Sequence, residues 1–329
     1  MTRRLLVDPD RPDPAVVAEA AGVIRRGELV AFPTETVYGL GANALDPAAA
    51  ARIYEAKGRP SDNPLIVHVA DPEGAEAVAR VDDRARALFG AFWPGPLTLV
   101  LPALDPVPSV VRGGLSTVAV RCPAHPVALA LIRASGVPIA APSANTSGRP
   151  SPTEADAVDE DLGGRISVLL DGGPTSVGVE STVLDATGPT LVLLRPGGIP
   201  AESLAPFGEL LLPASEEVRR RSPGTRYRHY APRIPVLLWD PEVPDPAAEW
   251  GRLLSRVSPG GKVGYLGILP PPTEVDSAIL AEDPRTYARI LFAALRRIER
   301  SGAVVCLAQW PSSEGIGGAI RDRLARAAL

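Results

Sequence analysis

At 329 residues the chain is long enough for two domains and a substantial core. Its 45% hydrophobic and 22% charged residues read as an ordinary globular protein, and a net charge of −4 excludes binding nucleic acid through overall charge. No run of about eighteen apolar residues and no basic-then-apolar leader is present, so a cytoplasmic location without membrane attachment is expected. Asp13-Pro14 starts a helix with Val16, Val17, Ala20 and Ile24 on one face, closed by Gly27. Residues 29–32 are a short apolar strand that breaks at Pro33 into the polar turn Thr34-Glu35-Thr36. Gly39 and Gly41 then allow the backbone to approach a ligand or another strand. Asp46-Pro47 opens a helix that ends at Lys57 and Gly58, followed by the turn-rich loop KGRPSDNP and a second apolar strand at 65–69. Helices start at Asp71-Pro72 and Asp82-Asp83; strands follow at 97–101, 117–121 and 137–141, with residues 102–116 a loop and a helix from His125 to Ser135.

The strand at 137–141 runs into PSANTSGRPSPT (142–153), which by composition alone is an exposed linker. Its place directly after a buried strand favours a ligand site. A short helix (154–162), a strand (166–171), the turn DGGPTSVGVEST and strands at 182–185 and 190–195 complete the first unit, 1–212. Residues 213–235 shift in composition: EVRRRSPGTRYRHYAPRIP holds six arginines, two tyrosines and a histidine, and reads as a linker. From 236 to 329 strands (236–239, 262–266, 303–308) alternate with helices (246–257, 284–300, 315–328), the pattern of a small parallel α/β domain.

Four places pair a cation with small polar donors at the ends of predicted strands: Lys57/Arg59 with Ser61/Asn63, Thr117/Arg121, Ser143/Asn145 with Ser151, and Ser181/Arg195. Singly each is weak; together they describe a pocket for a polyanion, with lysine as point charge and arginine as planar fork. The histidines His68, His125 and His229 are scattered and offer no zinc site, and Cys122 and Cys306 read as buried thiols. Gly173 to Gly178 has a phosphate-loop spacing, but Val179-Glu180 stands where lysine and a hydroxyl are needed. Gly39-Leu40-Gly41 lacks the third glycine of a dinucleotide fingerprint. No nucleophile–base pair is evident, so a reaction carried by positioning and charge neutralisation, such as nucleotidyl transfer, suits the residues.

In sequence order PTETVYGLGAN, KGRPSDNPLIVHV, WPGPLTLVL, TVAVRCPAHP, PIAAPSANTSGRPSPT, DGGPTSVGVEST and LLRPGGI resemble the threonylcarbamoyl-AMP synthase family, whose catalytic unit is the YrdC-like domain. SPGTRYRHYAP is similar to the linker of the longer form, which ends in a Rossmann-like domain. The resemblance implies a YrdC-like twisted mixed sheet with helices around a concave pocket, followed by the small parallel domain. It implies conversion of L-threonine, bicarbonate and ATP to threonylcarbamoyl-adenylate and pyrophosphate, for threonylcarbamoylation of tRNA by downstream transfer machinery. On this resemblance Lys57, Arg59, Ser143 and Asn145 handle bicarbonate and the phosphates. Thr34, His68, Arg121, Ala141 and Ser181 hold threonine; Ser61, Asn63, Thr117, Ser151 and Arg195, with Lys57 and Ser143, hold ATP. Magnesium is expected through the ATP phosphates, with no metal site of the protein's own and no organic cofactor.

Threonine's carboxylate needs a cation such as Arg121, whereas its attacking amine must be neutral, so strong acids should not crowd it. Tyr227, His229 and Tyr230 are expected to act as a lid over the nucleotide. Replacing Lys57 or Arg59 is expected to cost activity with little change in melting temperature. The chain closes on ARAAL, where the longer form is expected to carry a further short segment. Two other readings compete. An RNA-binding module would need a basic face, so at most weak RNA contact is expected. A different ATP-using carbamoyl transferase would carry zinc-type cysteine motifs, against which two lone cysteines argue.

Overall fold

The computed structural model of the protein describes residues 1–213, 218 and 229–328. One mixed sheet is built from β1 (Arg3–Leu6), β2 (Val30–Phe32), β3 (Gly39–Asn43), β4 (Ile66–His68), β5 (Leu97–Pro102), β6 (Thr117–Arg121), β7 (Ile139–Ala140), β8 (Val168–Asp171), β9 (Thr182–Asp185), β10 (Leu191–Arg195) and β11 (Leu210–Leu211). Its order is β1-β8-β2-β3-β7-β4-β6-β5-β9-β10-β11. A second sheet, β12 (Val236–Trp239), β13 (Val263–Gly267), β14 (Ser277–Leu280) and β15 (Val305–Gln309), runs β12-β15-β13-β14 and is parallel throughout. The fold is therefore the expected mixed sheet followed by a small parallel one.

Helices α1 (Pro14–Arg25), α2 (Pro47–Lys57), α3 (Pro72–Glu76), α4 (Asp83–Phe92), α5 (Ser109–Arg112), α6 (Pro126–Ser135) and α7 (Ala155–Leu162) belong to the first sheet; α8 (Pro246–Leu254), α9 (Pro284–Arg300) and α10 (Gly317–Ala327) to the second. The Asp-Pro starts work as the sequence suggests: the Asp46 carboxylate accepts from the amides of Ala48 and Ala49, with proline at the first helical position. Gly58 closes α2 at φ 60°, a conformation disfavoured by a side chain. His125 is a helix cap, its Nδ1 accepting from the amide of Val127, and not a catalytic base.

Several elements differ from the sequence reading. β1, β3, β11, β14 and the helical turn α5 were not expected, nor was a 3₁₀ segment at Ala201–Phe207. β3 is GLGAN, poor in the β-branched residues that mark strands. Its glycine is required by the neighbours: a Cβ on Gly41 would lie 2.8 Å from both Phe32 and Ile139. β14 is an edge strand with Leu280 half-exposed, so it lacks the apolar run of a buried strand.

Two contacts fix the parts against each other. Arg296 of α9, 2% exposed, donates to both oxygens of Asp161 at 3.1 and 2.7 Å and to the carbonyl of Pro150 at 2.7 Å. Arg149 donates to Glu299 at 2.8 Å. The loop after β7 is thus gripped from the C-terminal side.

Candidate active site

β4 and β6 are parallel partners, and their register sets His68 opposite Arg121 at the carboxyl ends of both strands. Ligands in α/β sheets collect at such ends. The turn after β2 and the loop after β7 converge there, because Leu40 donates to the carbonyl of Pro142 and Ala144 to that of Tyr38, each at 2.8 Å. Between them lies a cavity of about 60 Å³. Thr34, His68, Arg121, Ala141 and Ser181, the residues assigned to threonine, all line it. So do Arg59, Ser143, Asn145, Ser151 and Arg195, and from the linker His229 and Tyr230. Tyr227 lies outside the described residues.

Four assigned residues do not reach the cavity. Lys57, 1% exposed, turns beneath the loop and donates to the carbonyls of Ser143 and Asn145, both at 2.5 Å. Its ammonium braces the loop and does not face a phosphate there. Burial and the neighbouring Arg59 push its pKa well below the usual lysine value. Ser61 is exposed on the turn, and Asn63 is buried behind Arg59, its carbonyl accepting from Arg59 at 3.4 Å and from the Tyr54 hydroxyl at 3.2 Å. Thr117 is half-buried at the far end of β6, roughly 13 Å along the strand from Arg121, facing Pro102. Arg121, not Thr117, is at the carboxyl end of β6, where ligands collect.

Three buried guanidiniums surround the cavity. Arg59 donates to the carbonyl of Pro64 at 3.0 Å; burial lowers its pKa to about 10. Arg195 donates to the carbonyl of Ser181 at 2.9 Å and to its hydroxyl at 3.2 Å. Arg121 stands 2.7 Å from the Glu35 carboxylate, an ion pair without a well-aligned hydrogen bond. His68 and His229 are held neutral: burial, with the Arg121 charge near one and the Arg59 and Lys57 charges near the other, lowers both pKa values to about 3. They offer hydrogen bonds, not charge. Asn145 donates to the carbonyls of Thr146 and Arg149, both at 2.9 Å, and its Oδ1 has no partner among the described residues. The thiols of Cys122 and Cys306 are pushed up by burial to about 11 and about 12, so both stay protonated, as their buried reading requires.

Three charged residues of the site escaped the sequence reading. Glu35 pairs with Arg121; Glu180 lines the cavity; Arg323 of α10 holds Glu180. Glu180 had a signal, an acid inside a polar turn directly before Ser181. Arg323, in RDRLARAAL, looks like any solvated helix face.

Residues 22–197 match a family described as Telomere recombination, and residues 199–329 match the threonylcarbamoyl-AMP synthase C-terminal domain. The threonylcarbamoyl-AMP synthase of Pyrococcus abyssi is 49% identical over 94% of this chain and 92% of its own length. The chain belongs to the threonylcarbamoyl-AMP synthase family. The Bacillus subtilis synthase is 45% identical over 95% of this chain and 92% of its own. A crystal structure of P. abyssi Sua5 complexed with L-threonine superposes with a TM-score of 0.93 and 46% identity, covering 99% of this chain and 98% of that one. For a member of this synthase family, a set of buried arginines around one polar cavity is the feature to explain.

Among the described residues, no group of three His, Cys, Asp or Glu side chains is placed to hold a metal ion. Glu180 is already committed to Ser151 and Arg323.

Proposed function

We propose that the cavity condenses L-threonine, bicarbonate and ATP into threonylcarbamoyl-AMP and pyrophosphate, the product serving threonylcarbamoylation of a tRNA adenosine by later enzymes. The observation that carries this is the convergence of Arg59, Arg121 and Arg195 on one polar cavity with two neutral histidines. Arg121 takes the threonine carboxylate in place of part of its bond to Glu35. The free amine attacks the bicarbonate carbon, and loss of water leaves the carbamate. A carbamate oxygen then attacks the α-phosphorus of ATP, and the bond to the β-phosphate oxygen breaks to release pyrophosphate. Arg59 and Arg195 neutralise charge that builds on the phosphates, the kind of fixed electrostatic assistance that carries such transfers. Neutral His68 and the hydroxyls of Thr34 and Ser181 orient threonine without protonating its amine. Magnesium bound with ATP would supply further neutralisation of the triphosphate.

The test supplies threonine, ¹³C-bicarbonate and ATP and reads nucleotides by mass spectrometry. A labelled threonylcarbamoyl nucleotide with stoichiometric pyrophosphate is expected. ADP as the sole nucleotide product would overturn the reading.

A further inference from the structure

We infer that Arg323, at the far end of the chain, is a positioning residue for this active site, acting through Glu180 to neutralise a carboxylate in the cavity wall and to aim Ser151. The inference rests on the proposed chemistry, in which uncompensated negative charge beside the reactants opposes binding of a polyanion. Glu180 Oε1 accepts from the Ser151 hydroxyl at 2.6 Å, and Oε2 accepts from Arg323 Nε at 2.6 Å. One carboxylate thus spans from a cavity hydroxyl to a helix 143 residues away in sequence. Arg323 is 1% exposed, and its guanidinium also sits 5.2 Å over the ring of Tyr230, another cavity wall residue. A guanidinium buried this deeply is held by what it pairs with, and loss of one partner strands the other.

The segment carrying Glu180 is built to meet the C-terminal side. Gly178, at φ 83°, lies so close to α9 that a Cβ there would come within 2.3 Å of the Arg289 backbone. The groups facing Glu180 are Arg323 on α10, Arg195 on β10, Lys57 on α2, and His229 and Tyr230 from the linker, with Asp322 paired to Arg323 behind them. Burial alone would raise the Glu180 pKa; Arg323, then Arg195 and the hydrogen bonds from Ser151 and Arg323, more than offset it, so the carboxylate stays ionised. Asp322 draws on the same guanidinium at 2.5 Å but is shared with Arg326 at 3.0 Å. Removing Arg323 therefore leaves a buried, less stabilised anion at the cavity, one that protonates at higher pH than before.

Arg323→Met, Arg323→Lys, Glu180→Gln and the Glu180→Gln/Arg323→Met double variant test this, with melting curves to confirm folding. ATP affinity is read by titration calorimetry, which needs no turnover, and kcat/KM by product formation. Arg323→Met should weaken ATP binding and kcat/KM at least about tenfold, and Arg323→Lys should recover part of the loss. The double variant should exceed Arg323→Met, because the stranded charge is gone. Arg323→Met should also improve relative to wild type as pH falls from 8 to 6, and the double variant should not. A double variant no better than Arg323→Met, with parallel pH profiles, would reduce Arg323 to packing. A wild-type protein that makes no threonylcarbamoyl nucleotide sinks the proposed chemistry instead, and the ATP affinities still decide the coupling.

Discussion

Nη2 of Arg121 lies 2.7 Å from Oε2 of Glu35, and both side chains are almost wholly buried. This one of the three cavity guanidiniums is thus paired with an acid before any substrate arrives. Breaking a buried pair from one side strands the other charge and typically costs about 3–5 kcal/mol. Arg121→Met should lower stability by that order and raise the KM for threonine at least about tenfold. Adding Glu35→Gln should restore most of the stability and none of the threonine affinity. Urea titrations and threonine saturation curves on the three variants check this; recovery of both together would mean that Arg121 does not bind the carboxylate.

The position of Lys57 changes what its replacement should do. The sequence ends a helix at Lys57 and assigns its charge to the polar loop that follows, where loss of that charge would leave melting unaffected. In the structure it is the last residue of α2, and its ammonium satisfies two backbone carbonyls of the loop that carries Ser143 and Asn145. An orphaned buried acceptor costs about 1–3 kcal/mol. Lys57→Met should therefore destabilise by about 3 kcal/mol, whereas Arg59→Met, which faces the cavity, should lose more activity. Calorimetry beside kcat/KM separates the two. An unchanged melting temperature in Lys57→Met with activity gone would return the ammonium to the chemistry.

Much of the site was legible because strands write their ends into the sequence. His68 and Arg121 each close an apolar run, and both line the cavity. Ser143, Asn145 and Ser151 follow a buried strand in a loop too polar to be core. Which cation faces inward was not legible. Lys57 and Arg59 are two residues apart, and only the path of the loop after β7 turns one beneath the backbone and the other into the cavity. The sequence reading took both ends of β6, Thr117 and Arg121, whereas only the carboxyl end lines the cavity. Glu180 and Arg323 meet across 143 residues, a contact that no local pattern encodes. β3 was missed because GLGAN lacks the β-branched residues that mark strands, its Gly41 being forced by Phe32 and Ile139.

Two buried neutral histidines give the fold a pH signature. His68 and His229 have pKa values of about 3 in the folded protein, below the ordinary 6.5. Between those values the unfolded chain binds protons that the folded chain does not, so stability rises with pH through the window. It is fully present above about pH 6.5 and is lost as pH falls toward 3. From pH 7.5 to 5 each histidine should account for about 2 kcal/mol of the loss. His68→Gln should flatten that slope by about this amount, whatever it does to absolute stability. Urea midpoints at the two pH values decide it; an unchanged slope would mean that His68 carries a proton in the folded state.

The linker ends against the cavity at His229 and Tyr230. Tyr230 adopts φ 66°, a left-handed conformation that costs a non-glycine residue about 1–2 kcal/mol. It is held there by stacking on Phe292 of α9 at 5.3 Å, while the amide of Ala231 donates to the carbonyl of Gly148 at 2.9 Å. His229 beside it is buried, with Nε2 lacking a partner among the described residues. The cavity behind these rings is about 60 Å³, far below the roughly 300–1,000 Å³ of pockets for drug-sized ligands. ATP is larger than this cavity, and the linker supplies His229 and Tyr230 to its wall. A closed lid keeps water from the mixed anhydride between carbamate and phosphate. In the His229→Ala/Tyr230→Ala variant, pyrophosphate release should persist while threonylcarbamoyl-AMP accumulates at a fraction of the parent ratio. In the parent, ATP with threonine should change the rate of tryptic cleavage within 213–235. An unchanged product-to-pyrophosphate ratio in the variant, with cleavage of the parent indifferent to ligands, would leave these residues as a spacer between the two sheets.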